Sequence, residues 1–150
     1  MEKQIQKLEI DVSIIIVNYN STELLKNCLN SVEKFTTDIK YEIIVVDNNS
    51  MTGDIDELLE NHDKIRLIKN NVNKGFGVAN NQGVEVAKGK YALLLNNDTI
   101  LFENSIKKVF EFAKEIGMTP LALMDKIKEW QLPVKNHMAE IEPDVLVLLK

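Results

Sequence analysis

Runs of apolar residues in this chain end abruptly in amides and carboxylates: VSIIIV before Asn18-Tyr19-Asn20, YEIIVV before Asp47-Asn48-Asn49-Ser50, and YALLL before Asn96-Asn97-Asp98. Runs that are short and continuous, rather than alternating, suit strands covered on both faces of a parallel sheet. The β-branched residues of the first two point the same way. Polar residues placed directly after such strands sit at the carboxyl edge of the sheet, where open α/β folds bind ligands. One such cluster alone would pass for turn chemistry, with Asp98 or Thr99 capping the segment that follows. Their recurrence after successive strands is what constrains the fold.

The intervening stretches supply helices. Strand one is expected over Val12–Val17, after which Ser21 or Thr22 caps a helix. Leu24, Leu25, Cys28, Leu29, Val32 and Phe35 make one apolar face of it. Tyr41–Val46 is strand two, Ile55–Glu60 a short helix, Lys64–Ile68 strand three and Tyr91–Leu95 strand four. The glycine-rich Asn73–Gly83, NKGFGVANNQG, opens a helix lasting to Lys88, with Ala79 and Gly83 one turn apart so that it lies close to the sheet. This alternation predicts a Rossmann-like, doubly wound α/β fold with a mainly parallel four-stranded sheet. Right-handed crossovers in the order 3-2-1-4 put the switch point between strands one and four. Asp98 then faces Asn18–Asn20 across a crevice, with Asp47 one strand over.

With 150 residues, 45% of them hydrophobic and 27% charged, the chain has room for one ordinary soluble domain and an appendage. A net charge of −5 argues against nucleic acid or an anionic membrane as an electrostatic partner. No run reads as a transmembrane segment, and MEKQIQKLEI has no apolar signal core, so a cytoplasmic location is expected. The single cysteine, Cys28, cannot form an internal disulfide and reads as core. There is no GxxxxGK[ST] loop, and Gly75-x-Gly77 has Asn80 where a dinucleotide fingerprint needs a third glycine. His62, near a helix end, and His137, in the tail, lack metal-ligand spacing. What remains is a crevice of amide side chains with two carboxylates. Asp47 suits hydrogen bonds from a base or ribose, and Asp98 suits a hard divalent cation bridging a diphosphate.

VSIIIVNYN, YEIIVVDNNS, NKGFGVANNQG and LLLNNDT follow one another between Val12 and Phe112. In this order they resemble the amino-terminal half of a family 2 glycosyltransferase with the GT-A fold, nearest to its rhamnosyltransferase-like branch. The resemblance implies a UDP- or dTDP-sugar donor, a Mn²⁺ or Mg²⁺ ion and metal-assisted glycosyl transfer. By it, Asp47 contacts the base and Asp98 the metal and diphosphate. Asn18, Tyr19, Asn20, Asn49, Lys74, Gly75, Asn96 and Asn97 then complete the nucleotide site. Asn96 replaces the first aspartate of the family's DxD-like motif, leaving one carboxylate. The acceptor half, which holds the catalytic base, has no counterpart here. Glu103, Glu111 and Glu115 match no base motif, so no catalytic residue is assigned.

From Met118 the texture changes, with Pro120, Pro133 and Pro143 and no glycine. Thr119-Pro120 opens a helix to Trp130, with Leu121, Met124 and Ile127 on one face, and Glu142-Pro143 opens another ending at Leu148 and Leu149. Lys108–Leu146, above all AKEIGMTPLALMDKI, resembles the amino-terminal module of bacterial translation initiation factor two. The expected domains are a truncated GT-A-like nucleotide-sugar-binding unit over 1–106 and an all-helical module over 107–150, joined as a chimera. Two alternatives stay open: a non-catalytic chimeric or designed scaffold that keeps the fold only, and an interaction module acting on the translation machinery through the tail. A sheet edge left bare by the missing half would favour self-association, unless Trp130 or the Val145–Leu149 face covers it.

Overall fold

The computed structural model describes residues 9–60, 62, 64–117 and 145–149. Val12–Asn18 (β1), Tyr41–Asp47 (β2), Ile65–Lys69 (β3) and Tyr91–Leu95 (β4) pair in parallel in the order β3-β2-β1-β4. Thr22–Phe35 (α1), Ile55–Leu59 (α2) and Phe76–Val86 (α3) connect them, and Ser105–Glu115 (α4) follows β4. This is the predicted GT-A-like topology, with the switch point between β1 and β4. β1 and β2 run one residue further than expected. Asn18 and Asp47, the first polar residues after their apolar runs, are therefore paired side by side in the ladder.

Successive strand residues face opposite sides, so a sheet covered twice needs an unbroken apolar run. Ile14, Ile16, Ile43, Val45 and Leu93 pack under Leu25, Leu29 and Val32 of α1 and Ile106 and Phe110 of α4. Ile15, Ile44, Val46 and Ala92 pack on the other side with Ala79 of α3. Gly83 is what lets α3 lie so near, since a Cβ there would come 2.4 Å from Ile15 Cγ2. The apolar face of α1 is narrower than its spacing implies: Leu25, Cys28, Leu29 and Val32 are buried, but Leu24 is 49% exposed. α3 stops at Val86 rather than Lys88. Ala87 is already extended, and Gly89 passes too close to the backbone of Ser13 for any side chain.

One expectation is overturned. Val145–Leu149, read as the end of a helix in an all-helical tail, is a strand (β5) that pairs antiparallel with β4, from Tyr91 opposite Leu149 to Leu95 opposite Val145. The outer edge of β4 carries backbone donors and acceptors that need partners, and an extended β5 supplies them. That tertiary demand outweighs the helix preference of leucine. Of the two alternatives, a bare edge or one covered by Val145–Leu149, the second holds, although the cover is a strand and not a helix face. At the opposite edge, β3 presents exposed Arg66 and Lys69, charges that discourage pairing with another chain. The helix expected from Pro120 to Trp130, and His137, lie outside the described residues.

Candidate functional site

At the carboxyl edge of the sheet the polar residues are held by one another. Asn18, fully buried, donates its amide N–H groups to Asp47 Oδ1 at 3.0 Å and to the Ser50 hydroxyl at 3.2 Å. The Asp47 carboxylate also accepts the Ser50 hydroxyl at 2.6 Å and the Ser50 backbone N–H at 3.0 Å. These bonds compensate the burial of a charge that is only 3% exposed. The turn that makes them possible runs through Asn49 at φ +68°, and the turn after β1 runs through Asn20 at φ +52°. Asparagine is the residue with a side chain that most readily takes this left-handed backbone. Asn20 Oδ1 then accepts the Met51 N–H at 2.7 Å and ties the two turns together.

A second cluster anchors the turn before α3. Asn48 Oδ1 accepts the Lys74 backbone N–H at 2.9 Å and the Asn70 amide at 3.1 Å. Its own amide donates to Asn73 Oδ1 at 2.8 Å. Asn70 and Gln82 exchange amide bonds of 2.8 and 2.9 Å, fixing Asn70 from behind. Gly75 turns the chain into α3 at φ +83°, in open space, so glycine is required there by its backbone angle and not by crowding.

On the β4 side, Asn97 donates its amide to Asn18 Oδ1 at 3.1 Å. Cys28 Sγ lies 3.6 Å from the Asn96 carbonyl. Burial, and then the nearby Asp98 carboxylate, push the Cys28 thiol up to about 12, so it is an inert core group and not a nucleophile.

Between these clusters lies a crevice of about 340 Å³, lined by Val17, Tyr19, Ser21, Asn48, Asn73, Phe76, Asn96, Asn97 and Asp98. Tyr19 and Phe76, both about half exposed, give it aromatic surface. A larger hollow of about 660 Å³, bounded by α1, α2 and the Thr52–Asp54 loop, draws its lining mostly from helix surfaces and includes His62, which pairs with Glu33 at 2.8 Å. The smaller crevice is the one that the strand ends build.

Of the residues expected at a ligand, Tyr19, Asn96, Asn97 and Asp98 meet in this crevice. Asn18 and Asp47 do not line it: they stand behind its wall, with the Asp47 carboxylate turned inward to Asn18 and Ser50. Asn20, Asn49, Lys74 and Gly75 are not on the wall either, and their part is in the turns that shape it. Asn48, Asn73 and Phe76 are wall residues to which the sequence assigned no contact of their own, although Asn48 stood in the polar cluster after β2 and Asn73 and Phe76 in the glycine-rich segment. That Asn48 rather than Asp47 reaches the wall follows from β2 ending at Asp47, so that the next residue is the first free of the ladder. Among the described residues no three His, Cys, Asp or Glu side chains form a metal cage, and Asp98 is the one acidic residue of the crevice lining.

Residues 13–131 match the family model described as Glycosyl transferase family 2. Poly(ribitol-phosphate) beta-glucosyltransferase of Bacillus spizizenii is 32% identical over 109 residues, which cover 69% of this chain and 17% of that protein. The crystal structure of S. aureus TarS 1–349 in complex with UDP-GlcNAc superposes with a TM-score of 0.61 at 26% identity, covering 71% of this chain and 32% of that one. The mannosyltransferase PcManGT from Pyrobaculum calidifontis, in complex with GDP-Man and Mn²⁺, shares the fold at a TM-score of 0.58 and 21% identity, covering 66% of this chain and 30% of that one. A separate match of 43 residues, 29% of this chain, is 81% identical to translation initiation factor IF-2 of Bdellovibrio bacteriovorus and covers 4% of it. The chain spans about a third or less of the curated relatives it matches.

Proposed function

The chain belongs to glycosyl transferase family 2, and from that premise we propose that its crevice binds a nucleoside-diphosphate sugar, UDP- or dTDP-linked, and assists departure of the diphosphate with a divalent cation. The convergence of three strand ends and the turn before α3 on one crevice carries this reading, because it brings Tyr19, Asn48, Asn73, Asn97 and Asp98 within reach of one ligand. Tyr19 and Phe76 offer flat apolar surface to a base or sugar ring, and the amides answer its carbonyls and hydroxyls. Asp47 serves the crevice from behind by orienting Asn18, which in turn holds Asn97.

Asp98 would hold Mn²⁺ or Mg²⁺, ions that are commonly bound by one or two carboxylates together with substrate phosphates and water. When bound, such an ion supplies Lewis-acid stabilisation of the departing diphosphate. The Mn²⁺ in the mannosyltransferase neighbour supports the cation, and the two nucleotide-sugar complexes support the donor class. With Asp98 engaged by the cation, the described residues of the crevice lining offer no second carboxylate to take a proton from an acceptor hydroxyl. The proposed role is therefore donor binding and activation, with the base supplied from outside this crevice.

A thermal-shift titration with UDP and dTDP, each with and without Mn²⁺, tests this. At a free nucleotide concentration of about 100 times the dissociation constant the folded state gains about 2.7 kcal/mol. The expected result is a metal-dependent rise in melting temperature that Asp98→Ala abolishes, and no shift at millimolar nucleotide refutes the reading. The match to IF-2 favours a second reading, in which the carboxy-terminal part acts as an appended module that contacts the translation machinery. Failure to co-sediment with ribosomes above background removes it.

A further inference from the structure

Covering β4 moves the edge of the sheet outward and does not remove it. β5 stands last in the order β3-β2-β1-β4-β5, and among the described residues no strand pairs with its outer side. Alternate residues of a strand aim their backbone N–H and C=O groups at one neighbour, and the rest aim theirs at the other. About half of the main-chain groups of β5 therefore face outward. The two edges of the sheet are protected very differently. On β3, Arg66 reaches the Val86 carbonyl at the end of α3 at 3.2 Å, and Lys69 pairs with Asp56 of α2, so both charges are held at that edge. β5 is VLVLL, with no charge, proline or glycine, and its five consecutive pairs with β4 contain no bulge. The devices that keep an edge from pairing are missing from this strand. Charges stand just outside it, Asp144 before and Lys150 after.

We propose that the outer edge of β5 is an interaction surface for a second copy of this chain, the two β5 strands pairing antiparallel across a twofold axis. Such a contact uses the same patch on both molecules and closes at two. The flanking charges select this occupant and this direction. With Val147 on the axis, Val145 lies opposite Leu149 of the partner subunit and Leu146 opposite Leu148 of the partner subunit. Asp144 then lies opposite Lys150 of the partner subunit, and this happens at both ends of the ladder. A parallel arrangement sets like charge against like. The smallest slip that keeps the pleat is two residues. One way it draws Pro143, which has no N–H, into the ladder, and the other way it sets Lys150 against a leucine. An unrelated extended segment could meet the same backbone, but it has no reason to carry both charges in this register. The product is one sheet of ten strands, two sheets of five joined edge to edge. Because the joined strands are antiparallel, the two crevices open at opposite ends of it. The pairing does not depend on what the crevice binds.

A ladder between two five-residue strands buries less surface than a standard interface, so the dimer is expected to dissociate at about 10–300 μM. Sedimentation equilibrium of the full chain from about 5 to 500 μM, in about 50 mM salt to limit screening, should show monomer and dimer and nothing larger. Asp144→Lys and Lys150→Glu each set like charges against one another at both ends of the ladder. Each should weaken self-association by about threefold or more. Mixed in equal amounts, the two variants meet with opposite charges at both ends, and they should form a mixed dimer at least as tightly as the wild type. The double variant Asp144→Lys/Lys150→Glu exchanges the charges and should recover association. Both positions lie outside β5, and an unchanged melting temperature shows that the fold is kept. A monomer at every concentration overturns the proposal, and so do oligomers larger than two. A dimer indifferent to all the charge changes also overturns it. That result points to another contact, such as exchange of β5 onto the β4 of a second molecule, in which Asp144 and Lys150 do not meet.

Discussion

On one face of the sheet α1 and α4 press Leu25, Leu29, Val32, Ile106 and Phe110 onto Ile14, Ile16, Ile43 and Val45, while on the other α3 lays Ala79 and Gly83 onto Ile15 and Ile44. The first face is deep and built from large side chains, as a core that supplies stability must be. The second is thin, and its thinness has a use. α3 begins at the turn whose backbone is tied to Asn48 at the end of β2, so a helix held off by larger residues would carry Lys74 and Gly75 out of hydrogen-bond reach. One face stabilises the sheet, and the other positions the crevice.

Truncation within the deep face should have the largest effect. Leu29→Ala removes a fully buried side chain from between α1 and the sheet and should cost about 2–5 kcal/mol in urea denaturation, with nucleotide affinity unchanged wherever the protein is still folded. Enlargement within the thin face should cost less but reach the crevice. Gly83→Ala drives a methyl against Ile15 Cγ2, with an expected loss of about 1–3 kcal/mol and weaker nucleotide binding. A double-mutant cycle with Ile15→Ala, which removes the opposing methyl, should show a compensating coupling of about 0.5 kcal/mol or more. Additive effects would mean that α3 is free to settle elsewhere, and would break the comparison.

The smallest effect concerns Cys28, which sits in the deep face directly under the β4 end of the crevice. Its folded pKa is raised from about 9.0 to about 12, so the thiol ionises more readily once the chain unfolds. The stability this represents is full below the unfolded value and is lost as pH rises toward the folded one. Between pH 8 and 10 the wild type should lose stability faster than Cys28→Ala, by at most about 1.4 kcal/mol per pH unit. Comparing the two chains removes the contribution of Tyr41, whose pKa burial also raises. Parallel pH profiles would place the thiol nearer to water than its burial indicates.

The parallel strands were legible because a twice-covered strand has no freedom in composition: VSIIIV and YEIIVV can hardly be anything else. The close approach of α3 was legible too, in Ala79 and Gly83 one turn apart. Finer features were not. Whether Asp47 or Asn48 lines the crevice turns on the one residue at which β2 leaves the ladder, and boundaries are where local pattern is weakest. VLVLL was read as helix because Glu142-Pro143 before it has the form of a helix start, and what makes it a strand is an edge supplied by β4 from far earlier in the chain. The bonds that hold Asn48 are a further step removed, since they need Asn70, Asn73 and Lys74 brought together in space.

The pairing of β4 with β5 also has a timetable. Leu95 and its partner Val145 are joined by a long stretch of chain, so on the ribosome β4 is made well before the strand that covers it. At typical elongation rates a gap of about fifty residues lasts about 3–10 s. Parallel strands joined by crossovers pair more slowly than hairpins, yet small mixed α/β domains fold within about a second. For each newborn molecule, then, the four parallel strands can assemble and wait with β4 uncovered. That interval, rather than any property of the finished fold, is when one nascent chain on a crowded polysome is most open to its neighbours.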